Sequence, residues 1–167
     1  MKTIGIIYGS STGTCEDLAG QIAAALGVSS DDVHSVTDLS TDLVDQYEAL
    51  ILGSSTWGDG ELQDDWYDGV SVLQEANLAG KTIALFGCGD SDSYPDTFCD
   101  AIAGLYDAIK DSGATIIGGV SADDYNYSDS KSVVDGAFIG LALDEVNESD
   151  KTAERIEAWA ESLKAAL

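Results

Sequence analysis

The sequence predicts an α/β fold in which a five-stranded parallel sheet is doubly wound, with helices on both of its faces. Two observations carry this prediction: apolar runs alternate with amphipathic stretches, and the connections between them are short. Such alternation is typical of βαβ units with right-handed crossovers. With 167 residues, the chain is long enough to bury a substantial core, and we expect one domain that covers residues 1–167.

Five apolar runs are the predicted strands. The first, third, fourth and fifth are nearly continuous in apolar residues, which is typical of strands buried on both faces of a parallel sheet. The five predicted strands are Thr3–Tyr8, Val33–Val36, Ala49–Gly53, Thr82–Phe86 and Ala114–Val120.

Amphipathic stretches between and after these runs are the predicted helices. The last has Ile156, Trp159, Ala160 and Leu163 at helical spacing, so we expect it to pack on the sheet. Trp66 and Trp159 both lie on apolar helix faces and are expected in the core. The four predicted helices are Gly13–Leu26, Trp66–Glu75, Thr97–Ser112 and Asp150–Ala166.

One polar stretch interrupts the pattern near the last strand. The residues between Val120 and Ala137 are too polar for a core element, and the apolar run Phe138–Leu143 follows them. We interpret this arrangement as one edge strand that is split by an inserted loop at about 121–136.

The charge balance excludes some partners. Acidic residues number 31 against 7 basic ones, and the net charge is −24. Nucleic acid is excluded because phosphate backbones need a cationic surface, and an anionic membrane is disfavoured for the same reason. Three interpretations stay open: a solvated surface, steering toward a basic partner protein, or adaptation to high salt.

The cysteines and the single histidine point to no disulfide framework and no metal site. Cys15, Cys88 and Cys99 are an odd number at irregular spacing, which fits free thiols in a reducing compartment. His34 is the only histidine, and we expect it at the surface without a role. No apolar run approaches a membrane span, and the N-terminus shows no signal peptide, so we expect a cytoplasmic location.

The residues Ser10–Cys15 stand between a predicted strand and a predicted helix. Backbone N–H groups at a helix start, together with Ser and Thr hydroxyls, can hold an anion. The segment contains no Lys or Arg, so a phosphate there would be bound by dipoles alone. The alternative is an ordinary capped helix with a hydroxyl-rich turn.

Two further loops follow the carboxyl ends of predicted strands, where open α/β sheets bind ligands. Ser54–Gly60 contains Trp57, and Gly87–Tyr94 ends on an aromatic residue. Two facing loops of this kind can enclose a flat ring between their aromatic side chains. The alternative for both aromatics is ordinary packing.

These segments together resemble the flavodoxin family. The pattern Tyr8-x-Ser10-x-Thr12-Gly13-x-Cys15, with Ala19 after it, is similar to the family's phosphate-loop signature. Thr56-Trp57-Gly58, Cys88-Gly89-Asp90 with Tyr94, and Gly140–Glu145 resemble its other conserved segments, and the inserted loop marks its long-chain branch. Two positions depart from the pattern: Cys15 replaces the usual Thr, and Ser55 stands where relatives often have Pro.

The resemblance implies the strand order 2-1-3-4-5 and FMN as the cofactor. It implies that Trp57 and Tyr94 stack on opposite faces of the flavin and that no catalytic residue is needed. The cofactor-binding residues implied are Ser10, Ser11, Thr12, Gly13, Thr14, Cys15, Ser55, Thr56, Trp57, Gly58, Asp59, Gly60, Cys88, Gly89, Asp90, Tyr94, Phe98, Cys99 and Asp144.

The function implied is that of a soluble, monomeric, low-potential one-electron carrier that cycles mainly between semiquinone and hydroquinone. Its partners would be redox proteins with basic docking faces, such as a ferredoxin/flavodoxin–NADP reductase. A peptide next to Gly58 would turn on reduction, since glycine tolerates positive φ. Carboxylates on or beside the flavin loops would disfavour the second electron: Asp59, Glu61, Asp64, Asp65, Asp90, Asp92 and Asp96.

The alternative function is an FMN-dependent NAD(P)H quinone or flavin reductase of the flavodoxin-like superfamily. It would need a nicotinamide and substrate pocket, usually built at a subunit interface, and the highly charged surface argues against a tight oligomer. A receiver domain is disfavoured because no Asp cluster follows the first strand. A phosphotyrosine phosphatase is disfavoured because neither Cys15 nor Cys88 has the Arg that its phosphate loop requires.

Overall fold

The computed structural model describes residues 3–57 and 60–167. Its strands are β1 (Ile4–Gly9), β2 (Val33–Ser35), β3 (Ala49–Trp57), β4 (Glu61–Leu62), β5 (Thr82–Cys88), β6 (Thr115–Ile117), β7 (Val120–Ser121), β8 (Val133–Val134), β9 (Ala137–Phe138) and β10 (Leu141–Leu143). Its α-helices are α1 (Thr14–Leu26), α2 (Thr41–Asp45), α3 (Trp66–Glu75), α4 (Asp100–Ile109) and α5 (Thr152–Ala166). Single turns of 3₁₀ helix cover Ser30–Asp32, Val36–Asp38 and Ser149–Lys151.

The main sheet is parallel and has the predicted order. Strands β2, β1, β3 and β5 are neighbours in that order, and two short strands share the edge beside β5. β6 pairs with the beginning of β5, where Thr115 lies opposite Thr82. β10 pairs with the end of β5, where Leu141 lies opposite Phe86. The predicted strand order and the insertion in the last strand are both confirmed.

Each face of the sheet is covered by helices. On one face, Ile4 and Ile6 of β1 pack with α1 and α5. On the other face, Ile7 packs with residues of α3 and α4. This split follows from strand geometry, because successive side chains of a strand point to opposite faces. Trp66 and Trp159 are 0% and 2% exposed, so their predicted place in the core is confirmed.

The inserted segment has more structure than the sequence predicts. The predicted strand Ala114–Val120 is wrong beyond Ile117, because Gly118 has a φ of +88° and Val120 pairs with Phe138 in a second sheet. That sheet is antiparallel and joins β7, β9 and β8 in this order. Its short strands could not be recognised from an apolar run, since each contributes only two residues.

Aromatic side chains join the inserted segment to the core. Tyr127 stacks on Phe98 with ring centroids 5.8 Å apart, and Phe138 meets the same ring edge-on at 5.9 Å. Arg155 of α5 lies 3.9 Å from the centroid of the Tyr125 ring. Although the sequence predicts that this stretch is too polar for a core element, its aromatic residues Tyr125 and Tyr127 pack against the core.

Several element boundaries differ from the predicted ones. β3 extends to Trp57 because its last residues pair with β4 in antiparallel fashion. α4 begins at Asp100 rather than Thr97, since Cys99 before it has a φ of +53°. The short helix α2 was not predicted, and the Ser40 hydroxyl caps it by accepting the amide of Leu43. Among the described residues, no helix has the length and apolar character of a membrane span.

Candidate functional site

A cavity of about 420 Å³ opens at the carboxyl ends of β1, β3 and β5. This volume falls within the range of small-molecule sites, and the position is the sheet edge at which the sequence predicts ligand binding. The lining residues are Thr12, Thr14, Ser55, Thr56, Trp57, Cys88, Gly89, Asp90, Tyr94, Thr97, Glu145 and Val146.

The loop after β1 presents hydrogen-bond donors to the cavity. The Ser10 hydroxyl accepts the amide of Gly13 at 3.0 Å, and Gly13 has a φ of +91°. The first α-helical bond runs from the amide of Asp17 to the carbonyl of Gly13. The amides of Thr14 to Glu16 therefore have no acceptor within the helix. With the hydroxyls of Thr12 and Thr14 on the cavity wall, this donor set suits a phosphate.

Gln63 joins this first loop to the strand β3, a role that the sequence analysis did not predict. Its Nε2 donates to the Ser11 hydroxyl at 3.0 Å, and its backbone amide donates to the Ser54 hydroxyl at the same distance. A Cβ at Gly9 would lie 2.4 Å from the Trp66 ring, so only glycine lets β1 approach this junction. A lone buried Gln, 3% exposed, has no sequence signature.

The end of β3 holds Trp57 at the mouth of the cavity. Trp57 is 42% exposed, and its indole Nε1 donates to the Ser55 hydroxyl at 2.7 Å. The Thr56 hydroxyl accepts the amide of Ala101, which binds the strand to the start of α4. The amide of Gly60 donates to the Trp57 carbonyl at 3.1 Å. The predicted contacts Gly58 and Asp59 lie outside the described residues.

The loop after β5 is shaped by Asp90. Its Oδ1 accepts the amides of Asp92 and Ser93 and the Nδ2 of Asn147, and its carbonyl accepts the amide of Tyr94. The bonds to Oδ1, the Ser93 amide first, lower the pKa of the Asp90 carboxyl. Tyr94 stands at the end of this turn with 58% of its surface exposed. The two aromatics thus lie on one cavity, as the resemblance implies.

Asp144 fixes the same loop from beneath. Its Oδ2 accepts the amide of Ser91 at 3.1 Å and the Ser91 hydroxyl at 2.5 Å. Asn147 connects the two carboxyls, since its Nδ2 reaches both Asp90 and Asp144. Asp144 is fully buried, so it holds the loop rather than lining the cavity.

Several predicted contacts place their side chains away from the cavity. Phe98 is 1% exposed and belongs to the aromatic cluster with the inserted segment. Cys99 is fully buried, and its thiol faces the carbonyl of Leu143. The Ser11 hydroxyl is engaged by Gln63, and Gly60 lies behind Trp57. Their contact with a cofactor stays a prediction from the resemblance.

The Cys15 thiol points into the core, where it meets the thiol of Cys88. The hydrogen bond between them and burial raise the pKa of Cys15, and burial raises the pKa of Cys99. All three cysteines are free and buried. Burial of neutral thiols makes them unreactive. Only the backbone amide of Cys15 is left to serve the phosphate loop.

The cavity wall carries negative but no positive side chains. Asp90 and Glu145 line it, and no Lys or Arg is among its described lining residues. Thr97, Glu145 and Val146 were missed by the sequence analysis, because they lie in loops whose approach to the cavity depends on the fold. The other described carboxylates that the sequence analysis singled out are exposed: Glu61, Asp64, Asp65, Asp92 and Asp96.

The chain matches known proteins over nearly its whole length. The family model described as Flavodoxin matches residues 6–159. Flavodoxin 1 of Azotobacter vinelandii is 43% identical over 163 residues, which cover 95% of this chain and 94% of the relative. The flavodoxin of Haemophilus influenzae is 39% identical over 164 residues, which cover 98% and 94% respectively.

A solved structure agrees with these relatives. The crystal structure of Fusobacterium nucleatum flavodoxin bound to flavin mononucleotide has a TM-score of 0.91 and 33% identity to this chain. The match covers 100% of this chain and 99% of that one. The chain therefore belongs to the flavodoxin family of electron-transfer proteins.

Proposed function

We propose that this protein is a low-potential electron carrier that binds FMN in the cavity between β1, β3 and β5. One observation carries the proposal: a phosphate-type donor set and two aromatic rings face the same cavity, without a cation on its described wall. FMN supplies a ring system that takes up and releases electrons singly. The FMN-bound structure of the Fusobacterium nucleatum neighbour supports this assignment.

The first loop would hold the phosphate. The hydroxyls of Thr12 and Thr14 and the free amides at the start of α1 are its donors. Glu16 and Asp17 in the first helical turn are exposed. Without a cation, the binding free energy comes from charge-assisted hydrogen bonds, each worth about 1.5–3 kcal/mol.

Trp57 and Tyr94 would enclose the flavin ring. The indole of Trp57 is anchored by its hydrogen bond to Ser55, and the backbone of Tyr94 is held by its amide bond to the Asp90 carbonyl. Because the indole ring is placed before the cofactor arrives, little of its side-chain entropy is lost on binding. Val146, 68% exposed, adds apolar surface beside them.

The carboxylates around the cavity would keep the potential low. A unit charge at about 10 Å opposes added negative charge by about 0.4–1.7 kcal/mol, depending on the effective dielectric constant. Asp90 and Glu145 line the cavity, and the exposed carboxylates of the neighbouring loops add to their effect. The same negative surface suits transient docking of redox proteins with basic faces, such as a ferredoxin/flavodoxin–NADP reductase.

We expect the protein to act as a monomer and to be located in the cytoplasm. Three buried free thiols suit a reducing compartment. A net charge of −24 opposes self-association, because copies of the chain repel each other.

Titration with two flavins tests the assignment. Riboflavin lacks the phosphate, so FMN should bind at least about 100-fold tighter, as two charge-assisted hydrogen bonds require. Thr12→Ala should weaken FMN binding and leave riboflavin binding unchanged. Ser71→Ala, an exposed hydroxyl on α3, is the matched control and should change neither. Equal affinity for the two flavins would contradict the phosphate site, and rapid direct oxidation of NAD(P)H by the loaded protein would favour the reductase alternative.

A further inference from the structure

Asp100 is a buried carboxyl between the inserted segment and the cavity loops. It is 2% exposed and is the first residue of α4. Its Oδ1 accepts the amide of Lys131 at 2.8 Å and lies 3.3 Å from the donating hydroxyl of Ser130. Both partners belong to the inserted segment. Burial raises the pKa of this carboxyl.

The second oxygen of this carboxyl faces Gly60. Its Oδ2 lies 2.6 Å from the position that a Cβ on Gly60 would take, and it has no hydrogen-bond partner among the described residues. Gly60 has a φ of +93° and donates its amide to the Trp57 carbonyl. The carboxyl therefore packs directly against Gly60, at a place where any larger residue would collide with it.

Neighbouring contacts hold α4 on both sides of Asp100. On the cavity side, the amide of Ala101 donates to the Thr56 hydroxyl. On the other side, the Ser132 hydroxyl donates to the Cys99 carbonyl at 2.7 Å and accepts the amide of Ala103. The start of α4 thus lies between the strand that carries Trp57 and two serines of the inserted segment.

A plain helix cap does not explain this arrangement. The helix α4 begins without a side-chain cap, although an acidic residue at its start could accept its free amides. Asp100 instead directs one oxygen to the inserted segment and the other to Gly60.

We propose that Asp100 is a positioning residue that couples the inserted segment to Gly60 and, through the Gly60 amide, to the carbonyl of Trp57. Its carboxyl fixes Gly60, and Gly60 fixes the carbonyl of Trp57 at the mouth of the cavity. The inserted segment thereby acts on the cofactor site without touching it. The coupling itself is a property of the apoprotein, whereas its effect on FMN rests on the proposed function.

Amide hydrogen exchange in the apoprotein tests the coupling directly. Asp100→Ala should speed exchange at the Gly60 amide at least about tenfold and leave exchange at the core amides of Leu50 and Ile51 unchanged. Asp100→Asn, which keeps the shape and the Oδ1 acceptor, should restore the wild-type rate. Asp107→Asn removes an exposed carboxylate from the same helix and is the matched control. A wild-type rate at Gly60 in Asp100→Ala would overturn the proposal.

A double-mutant cycle tests the contribution of the inserted segment. Ser130→Ala removes a hydroxyl that donates to the Phe98 carbonyl and lies beside Asp100. As a single substitution it should speed exchange at the Gly60 amide, but it should add little when combined with Asp100→Ala. The reason is that the effects of substitutions at coupled residues are not additive. Additive effects would show that the segment does not act through Asp100 and would overturn the coupling.

The first one-electron reduction potential separates positioning from charge. Asp100→Ala and Asp100→Asn lose the same charge, so a difference between their potentials reports the position of Gly60 and of the Trp57 carbonyl. We expect the potentials of the two variants to differ. Equal potentials would overturn the proposed effect of Asp100 on the cofactor. Failure of the wild-type protein to bind FMN would instead refute the proposed function, while the exchange measurement would still decide the coupling.

Discussion

The indole N–H of Trp57 donates a hydrogen bond to the hydroxyl of Ser55 across 2.7 Å. This contact ties the exposed ring to the end of the buried strand β3 and aims it across the cavity mouth. The orientation of the ring is therefore set here by a side-chain bond.

Removal of this bond should weaken FMN binding. In Ser55→Ala the indole loses its acceptor, and a hydrogen bond contributes about 0.5–1.5 kcal/mol, so we expect about a two- to tenfold higher dissociation constant. Fluorescence titration of the apoprotein measures this change. Ser71→Ala, an exposed serine on α3, is the control. An unchanged constant in Ser55→Ala would mean that the bond does not place the ring.

The buried Cys15 thiol should matter for stability and not for phosphate binding. Cys15→Ala leaves a cavity beside Cys88 in the core, and we expect a loss of about 1 kcal/mol in the free energy of unfolding. FMN affinity should stay within about twofold, since only the backbone amide serves the loop. Urea unfolding and FMN titration give the two values. A large loss of affinity at unchanged stability would place the thiol among the phosphate donors.

Asp90 and Asp100 should affect stability with opposite dependence on pH. Hydrogen bonds lower the pKa of Asp90. Its stabilisation of the fold is therefore present above the pKa of an unfolded Asp, about 4, and is lost as pH falls through the folded pKa. Burial raises the pKa of Asp100, so its stabilisation of the fold is present below about pH 4 and is lost as pH rises through the folded pKa.

Urea unfolding of Asp90→Asn and Asp100→Asn as a function of pH measures both effects. As pH rises toward neutral, the free energy of unfolding of Asp90→Asn should fall below that of the wild type. The free energy of unfolding of Asp100→Asn should instead increase relative to that of the wild type. Parallel curves for Asp90→Asn and Asp100→Asn would contradict the opposite pKa shifts of these two carboxyls.

Salt should change the second one-electron potential. The carboxylates around the cavity oppose added negative charge, and ions screen exposed charges over about 10 Å at 0.1 M. A rise in salt from low to high concentration should therefore raise this potential by tens of millivolts. A potential that does not change with salt would contradict the electrostatic explanation.

The midpoint of unfolding, measured at the same salt concentrations, tests whether the chain is adapted to high salt. A midpoint that does not change with salt would count against such adaptation.

The core of the fold could be predicted because its strands are continuous apolar runs. β1, β3 and β5 are buried on both faces, and nothing in their sequence competes with that state. The small sheet of the inserted segment could not be predicted, since Val120, Val133 and Phe138 become strand residues only by pairing with each other. Tertiary pairing, rather than local propensity, decides such short elements.

In the candidate site, too, some residues could be predicted from the sequence and others could not. Thr12, Trp57, Asp90 and Tyr94 were predicted because each lies in a loop after a buried strand. Gln63 and Asn147 could not be predicted, because each acts by joining two loops that are distant in sequence. Neither pattern nor resemblance could show that the Cys15 thiol points into the core.

Stepwise reduction of the FMN-loaded protein tests the proposed carrier function most directly. Visible absorption spectra recorded against a reference potential follow each electron. We predict two separate one-electron steps, with the second at a markedly lower potential, and weaker FMN binding in Trp57→Ala. A protein that takes up no FMN, or one that takes up two electrons in a single step, would contradict it.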